Sequence, residues 1–259
     1  MTNPLLLLAL AIAPAAVLLK YVLIRDKYEH EPLRLVAKTF FLGSISTLAA
    51  IVLESVFNIP IPFVRQFISV ALIEECMKFA AVWFAAYRSP HFDDVMDGIV
   101  YGVAASLGFA TVENIFYVFA GGVGTAIIRA FLSVPSHAAY GGIMGYYLGL
   151  AKLSRKQSPN REAKLMLKGL LFAVALHGAF DAALENLGLL GAVLAVAVAI
   201  ISWLIFLRLI RDALSKSPWA DVAGKPVTES KFCVNCGTRI EPNARFCVNC
   251  GEDLSRLFS

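Results

Sequence analysis

The sequence predicts an all-α, polytopic membrane protein of about seven transmembrane helices, followed by a linker and a small cysteine-bearing tail. Three observations predict it. Apolar residues make up 58% of the 259-residue chain and charged residues only 16%, with a mean hydropathy of +0.70; soluble domains hold roughly 45–50% and about 25%. Seven apolar stretches each approach the ~20 residues a helix needs to cross a bilayer. Beyond residue 212 the chain turns polar, and four of its five cysteines fall there. The net charge of +4 is no sign of a nucleic-acid partner, because the basic residues gather in particular loops.

In order, the expected spans are 5–24, 35–57, 63–87, 98–120, 125–150, 167–184 and 187–207. The first has no basic residue before its apolar run, which a signal peptide would want, so it reads as a retained span. The third is interrupted by charge at Glu74, Glu75 and Lys78. Pro135 should kink or split the fifth. The loop at 121–124 joins the fourth and fifth, and a very short turn at Glu185–Asn186 joins the last two. Gly98 and Gly102, then Gly141, Gly145 and Gly149, recur every fourth residue, which lets helix backbones approach closely.

The loops set the orientation. Lys20, Arg25, Lys27, Arg34 and Lys38 flank the first connection; Lys152, Arg155, Lys156, Arg161, Lys164 and Lys168 flank the fifth; Arg208, Arg211 and Lys216 follow the last span. The alternate loops, 58–62, 121–124 and 185–186, carry no Lys or Arg. By the positive-inside rule the basic side is cytoplasmic, so the N-terminus lies outside and the C-terminal tail inside a plasma-membrane protein.

The charged turn of the third span is the chemically informative stretch. Each ionised group at the centre of a membrane helix costs roughly 2.5–3.5 kcal/mol, so three together need a reason. Lys78 follows Glu74 by four residues and Glu75 by three, within reach of either. The Glu pair lies about 12 residues, ~18 Å, from the outer end of its span. His137 in the fifth span and His177 in the sixth fall at a similar depth, and Glu113 in the fourth somewhat nearer the outer face. Two His and one Glu form a catalytic zinc set with a position left for water. Asp181 shares a helix face with His177 and can orient its imidazole. One Glu then ligates the metal or pairs with Lys78, while the other activates water. His30 and His91 belong to charged loops; of Asp93, Asp94 and Asp97, Asp94 or Asp97 is expected to cap the fourth helix.

In the tail, Cys233, Cys236, Cys247 and Cys250 form two Cys-x-x-Cys pairs, each followed by Gly. Four thiolates at this spacing specify a closed tetrahedral zinc site, and a reducing cytosol disfavours disulfides. Such a short module needs its metal to fold. The expected organisation is a transmembrane domain over 1–212, a linker over 213–230 and a zinc ribbon over 231–254, the ribbon serving docking or regulation through a protein partner that the sequence does not name.

No His-Glu-x-x-His, Gly-x-Ser-x-Gly or Gly-x-Gly-Asp occurs in the chain. IEECMKF, DGIVYG followed by GFATVENIFYV, VPSHAAYGGIMGYYLGLAK and LHGAFD instead resemble the PrsW family of intramembrane proteases, over roughly residues 32–211. More distantly, the chain is similar to the CAAX prenyl protease and bacteriocin-immunity superfamily, from which it departs at Lys78, one residue closer to the Glu pair and Lys instead of Arg, and at Asp181 where that superfamily has Asn. The resemblance implies hydrolysis of a membrane-tethered, single-pass protein such as an anti-sigma factor. It carries the catalytic set onto Glu74, Glu75, His137 and His177, with Lys78, Glu113 and Asp181 supporting and a catalytic divalent metal, zinc by its donors, on His137 and His177. A metal-free variant, in which a Glu activates water and a His steadies the oxyanion, fits the same residues. The rival function is a proton-coupled transporter using the midplane Glu, Lys and His as a relay, for which inverted repeats and paired broken helices would be the marks.

Overall fold

The computed structural model describes residues 3–155 and 158–220, and in the tail residues 236, 238, 247, 249 and 250. The chain separates into two compact units, Met1–Ser217 and Pro218–Ser259. The described part of the first unit is built from helices: α1 (Pro4–Arg25), α2 (Leu33–Val56), α3 (residues 62–87), α4 (Val95–Phe131), α5 (Ser133–Ser154), α6 (Pro159–Asn186) and α7 (Gly188–Lys216). Five helical stretches among the described residues are long and apolar enough to cross a membrane. One of them, Val95–Ser154, runs 60 residues and contains both α4 and α5. α3 is not among the five. Its regular segment, Leu72–Val82, is short, charged at three positions and flanked by two π-helical segments, Gln66–Ala71 and Trp83–Tyr87. Such widened turns are frequent at functional sites.

The outside of the first unit is apolar, with Phe41, Phe131 and Leu189 exposed, while Glu75 and Lys78 are sealed inside. That inversion suits hydrocarbon as solvent, since a helix satisfies its backbone internally and its apolar side chains need no burial. α4 runs through the middle: residues 95–111 are buried without a break. Its N-terminus is capped by Asp94, whose carboxylate accepts from the Val95 and Met96 amides, and Asp97 completes a reciprocal capping box. Close packing of α4 on α5 rests on missing side chains: a methyl on Gly98 or on Gly145 would overlap the other's carbonyl oxygen.

Two connections differ from expectation. The loop at 121–124 is a kink within α4 at Gly122, whose φ of 74° is open to glycine. The helix then continues to Phe131, so residues 125–131 of the expected fifth span belong to α4. The break comes at Leu132, three residues ahead of Pro135. Pro135 has no N–H to give the Phe131 carbonyl, so the ladder cannot pass and α5 restarts with the proline in its first turn. At the other hairpin, α6 includes Glu185 and Asn186, and the turn is made by Leu187 and by Gly188 at φ 55°. α7 extends to Lys216, four residues into the stretch read as linker.

Candidate active site

α3, α4, α5 and α6 each bring polar side chains to one buried locus. On α3, Lys78 is fully enclosed, its ammonium 3.0 Å from Glu74 Oε2, 2.8 Å from Glu75 Oε1 and 3.2 Å from His137 Nδ1, with the Phe109 ring 4.3 Å beneath it. The i,i+3 and i,i+4 spacing lets one ammonium hold both carboxylates. On α6, His177 Nδ1 lies 2.9 Å from Glu75 Oε1, while Nε2 lies 3.1 Å from Asp181 Oδ2 and 3.9 Å from Glu74 Oε2. On α5, His137 Nε2 lies 3.0 Å from Glu113 Oε2. Glu113, placed by its sequence depth nearer the outer face, therefore stands directly against His137. The kink at Gly122 and the restart at Leu132 fold the end of α4 and the start of α5 back on the turn that bears Glu113.

Several members of this cluster escaped sequence reasoning. Arg129 is buried, its Nη2 3.0 Å from Glu113 Oε2, and its Nε donates to Asn114 Oδ1 at 2.7 Å. Asn114 in turn donates to the Ala11 carbonyl of α1 at 2.7 Å. Arg129 interrupts the apolar run TAIIRAF, and the insertion cost that singles out Glu74 applies to it equally. Tyr140 stacks on the His177 ring at 5.4 Å between centroids, and the two imidazoles stand 5.2 Å apart. Neither contact has a sequence signature, since an aromatic in an apolar helix reads as core.

A cavity of about 850 Å³ reaches this locus, lined by Glu54, Glu74, Glu113, Arg129 and Asp181 and, toward the α2–α3 and α6–α7 connections, by Asn58, Arg65 and Glu185. Arg65 and Gln66 both bond the Glu185 carboxylate at that end, tying α3 to α6. A second chamber of about 30 Å³, the share of one water molecule, lies among His137, His177, Glu113, Asp181, Ser136 and Tyr140. Ser136 Oγ and Tyr140 OH are buried there without a hydrogen-bond partner. Glu75 touches neither space.

The residues fit a metal ion. Glu74, His137 and His177 offer donor atoms all within 4.8 Å of one another. With Nδ1–H given to Glu75, His177 Nε2 presents a lone pair toward Asp181 Oδ2 and Glu74 Oε2, a set of three donors that a positive ion would satisfy; with both nitrogens protonated, Nε2 donates to Asp181 instead. Four carboxylates, Glu74, Glu75, Glu113 and Asp181, stand against two permanent cations, Lys78 and Arg129. With neutral imidazoles that leaves −2, which a divalent ion balances. Lys78 is the competing cation, because its ammonium already faces Glu74 Oε2 and His137 Nδ1.

In the second unit, Cys236, Cys247 and Cys250 bring their sulfurs within 4.8 Å of one another, with Cys236 and Cys247 3.5 Å apart. Hydrogen bonding with Thr238 lowers the Cys236 thiol to about 6, which suits a thiolate ligand. Cys233 lies outside the described residues.

Comparison with known proteins matches residues 31–210 to the model of the PrsW family of intramembrane metalloproteases and residues 232–254 to that of a zinc-ribbon domain. Protease PrsW of Geobacillus kaustophilus (strain HTA426) is 39% identical over 179 residues, 68% of this chain and 78% of that protein. Protease PrsW of Halalkalibacterium halodurans is 40% identical over 182 residues, 69% and 83% of the two chains. Protease PrsW of Bacillus subtilis (strain 168) is 37% identical over 179 residues, 68% and 81%. No solved structure matches the chain.

Proposed function

The chain belongs to the PrsW family of intramembrane metalloproteases, and from that premise we propose that it cuts a single-pass, membrane-tethered protein of the anti-sigma-factor kind at the Glu74, Glu75, His137 and His177 cluster. The observation that carries the proposal is the meeting of Glu74, His137 and His177, three buried side chains from three helices. Membership of a peptidase family leaves the transporter reading without support of its own.

A divalent metal held by His137 and His177, zinc by its preference for imidazole, would supply Lewis acidity toward the scissile carbonyl and toward water. Glu74 is the member of the Glu pair that lines the large cavity, so it takes the proton from the attacking water and returns it to the leaving nitrogen as the C–N bond breaks. Glu75, sealed from both spaces, holds His177 by Nδ1–H and turns Nε2 toward Glu74 and Asp181. Lys78 keeps the two carboxylates ionised and apart. Arg129 and Glu113 fix His137 at its Nε2 side, and Asp181 steadies His177 at the cavity wall.

The cavity opens toward the α2–α3 and α6–α7 connections, the end away from the basic loops. With the N-terminus outside and the zinc ribbon cytoplasmic, cleavage falls on the extracytoplasmic side of the bilayer. The ribbon, its four cysteines closed on one zinc, has no open position for chemistry and serves to dock a cytoplasmic protein.

The experiment compares new N-termini in the membrane proteome of cells producing the wild-type chain and the His177→Ala chain at matched levels. Cleavage sites within or beside single-pass spans, present with the wild type and absent with the variant, are expected. Identical N-termini from both would end the proposal.

A further inference from the structure

Tyr140 of α5 is 1% exposed and lies with its ring over His177, the centroids 5.4 Å apart and the planes 21° from parallel, and 6.3 Å from the His137 ring. Phenylalanine would fill that place and make the same ring contacts. The hydroxyl is the part that packing does not explain, since a buried polar group without a partner costs about 1–3 kcal/mol. It lines the chamber of about 30 Å³, and no group among the described residues accepts its proton. Ser136 Oγ, in a residue 2% exposed, is its neighbour one helical turn earlier and has no other partner. Two adjoining hydroxyls hold two protons, and a bond between them uses one, so at least one O–H stays free to donate into the chamber.

The chamber suits a single oxygen atom that gains negative charge. Its volume is the share of one water molecule, too small for a side chain. Tyr140 and Ser136 bring O–H groups to its wall, and Arg129 brings a positive charge. The two carboxylates there already face partners: Glu113 Oε2 lies 3.0 Å from both Arg129 Nη2 and His137 Nε2, and Asp181 Oδ2 lies 3.1 Å from His177 Nε2. Glu113, Arg129 and Asp181 line the large cavity as well, so the chamber adjoins the space assigned to the substrate.

Resting on the proteolytic reading of the His137 and His177 cluster, we infer that Tyr140 is a further catalytic residue: its O–H donates to the carbonyl oxygen of the scissile peptide as that oxygen becomes negative. Ser136 beside it sets the direction of the hydroxyl. As the water oxygen bonds to the carbonyl carbon, the C=O π pair moves onto oxygen, and the alkoxide seated in the chamber accepts the Tyr140 hydrogen bond. The proton stays on Tyr140. When the pair returns and the C–N bond breaks, the nitrogen takes the proton that Glu74 removed from water. The hydrogen bond is stronger to the alkoxide than to the ground-state carbonyl, so it lowers the barrier without tightening substrate binding.

The test compares the wild type, Tyr140→Phe and His177→Ala as full-length chains in proteoliposomes, on a substrate identified from its new N-terminus. Tyr140→Phe is expected to lower kcat about a hundredfold, the effect of removing one oxyanion donor, with KM within about twofold of the wild type. Its zinc content is unchanged and its unfolding temperature equals or exceeds that of the wild type, because Phe keeps the ring stack and removes an unpaired hydroxyl. A phosphinic peptide of the cleaved sequence, whose charged oxygen stands in for the alkoxide, binds the variant more weakly by a similar factor. Tyr140→Phe with more than about a third of the wild-type kcat, or with undiminished phosphinate affinity, overturns the inference while an inactive His177→Ala leaves the proteolytic reading standing. A loss of activity that comes with lost zinc, a lower unfolding temperature or a raised KM at unchanged kcat overturns it too, since the hydroxyl then holds the site or the substrate. Cleavage by His177→Ala at the wild-type rate, or by neither chain, ends the proteolytic reading and the inference together.

Discussion

Glu74→Gln is expected to reduce the cleavage rate by about a thousandfold, within the range that a positioned acid–base group contributes, while the protein remains folded. The substitution keeps the shape and removes the proton acceptor. It also leaves Lys78 a carboxylate at 2.8 Å, Glu75, so no buried ammonium is stranded. Glu75→Gln acts differently. It weakens both the hold on His177 Nδ1 and the second contact of Lys78, so activity and stability fall together. The comparison uses initial rates in proteoliposomes on a substrate identified from its new N-terminus, with unfolding temperature measured on the same preparations. A Glu74→Gln chain that retains more than about a tenth of wild-type activity contradicts the role given to Glu74.

Lys78→Met is expected to cause the largest loss of stability of any single change in the membrane unit, about 3–5 kcal/mol, the cost of removing one partner of a buried ion pair. Lys78 and Glu75 are 0% exposed, and Glu74 only 6%. Lys78 lines neither cavity, and its removal leaves the two carboxylates that shared it facing each other. The double substitution Lys78→Met with Glu75→Gln should then be less damaging than the sum of its parts, because the stranded charge is removed with its partner. Unfolding in mixed micelles reads both effects. A Lys78→Met chain as stable as the wild type would show that the ammonium is not what holds the pair.

The residues that sequence made legible are those whose cost in a membrane demands a reason. Glu74, Glu75, Lys78, His137 and His177 stand out because each is a polar group amid apolar neighbours, and depth along a helix of fixed rise brings them to one level. Depth is a one-dimensional measure, and it does not show that Glu113 stands against His137, since a kink at Gly122 and a restart at Leu132 set where the neighbouring helix lies. Pro135 announced a break correctly in kind, and the missing N–H puts that break one turn earlier. Arg129 was open to the same cost argument as the Glu pair. Asn114 and Tyr140 were not, because amides and aromatics are tolerated in membrane helices and only the fold shows what they touch. Glu29 of the α1–α2 connection and Asp93 and Asp97 at the start of α4 bring oxygens within 4.8 Å of one another, and no spacing rule joins two loops some sixty residues apart in the sequence.

The central claim, a metal centre on His137 and His177 with Glu74 beside it as the base, is tested most directly by counting transition metal in the purified full-length chain and in its His177→Ala variant. The account predicts about two zinc ions per wild-type chain, one in the ribbon and one in the membrane, and about one in the variant. One zinc in both chains, with the wild type active, would contradict it.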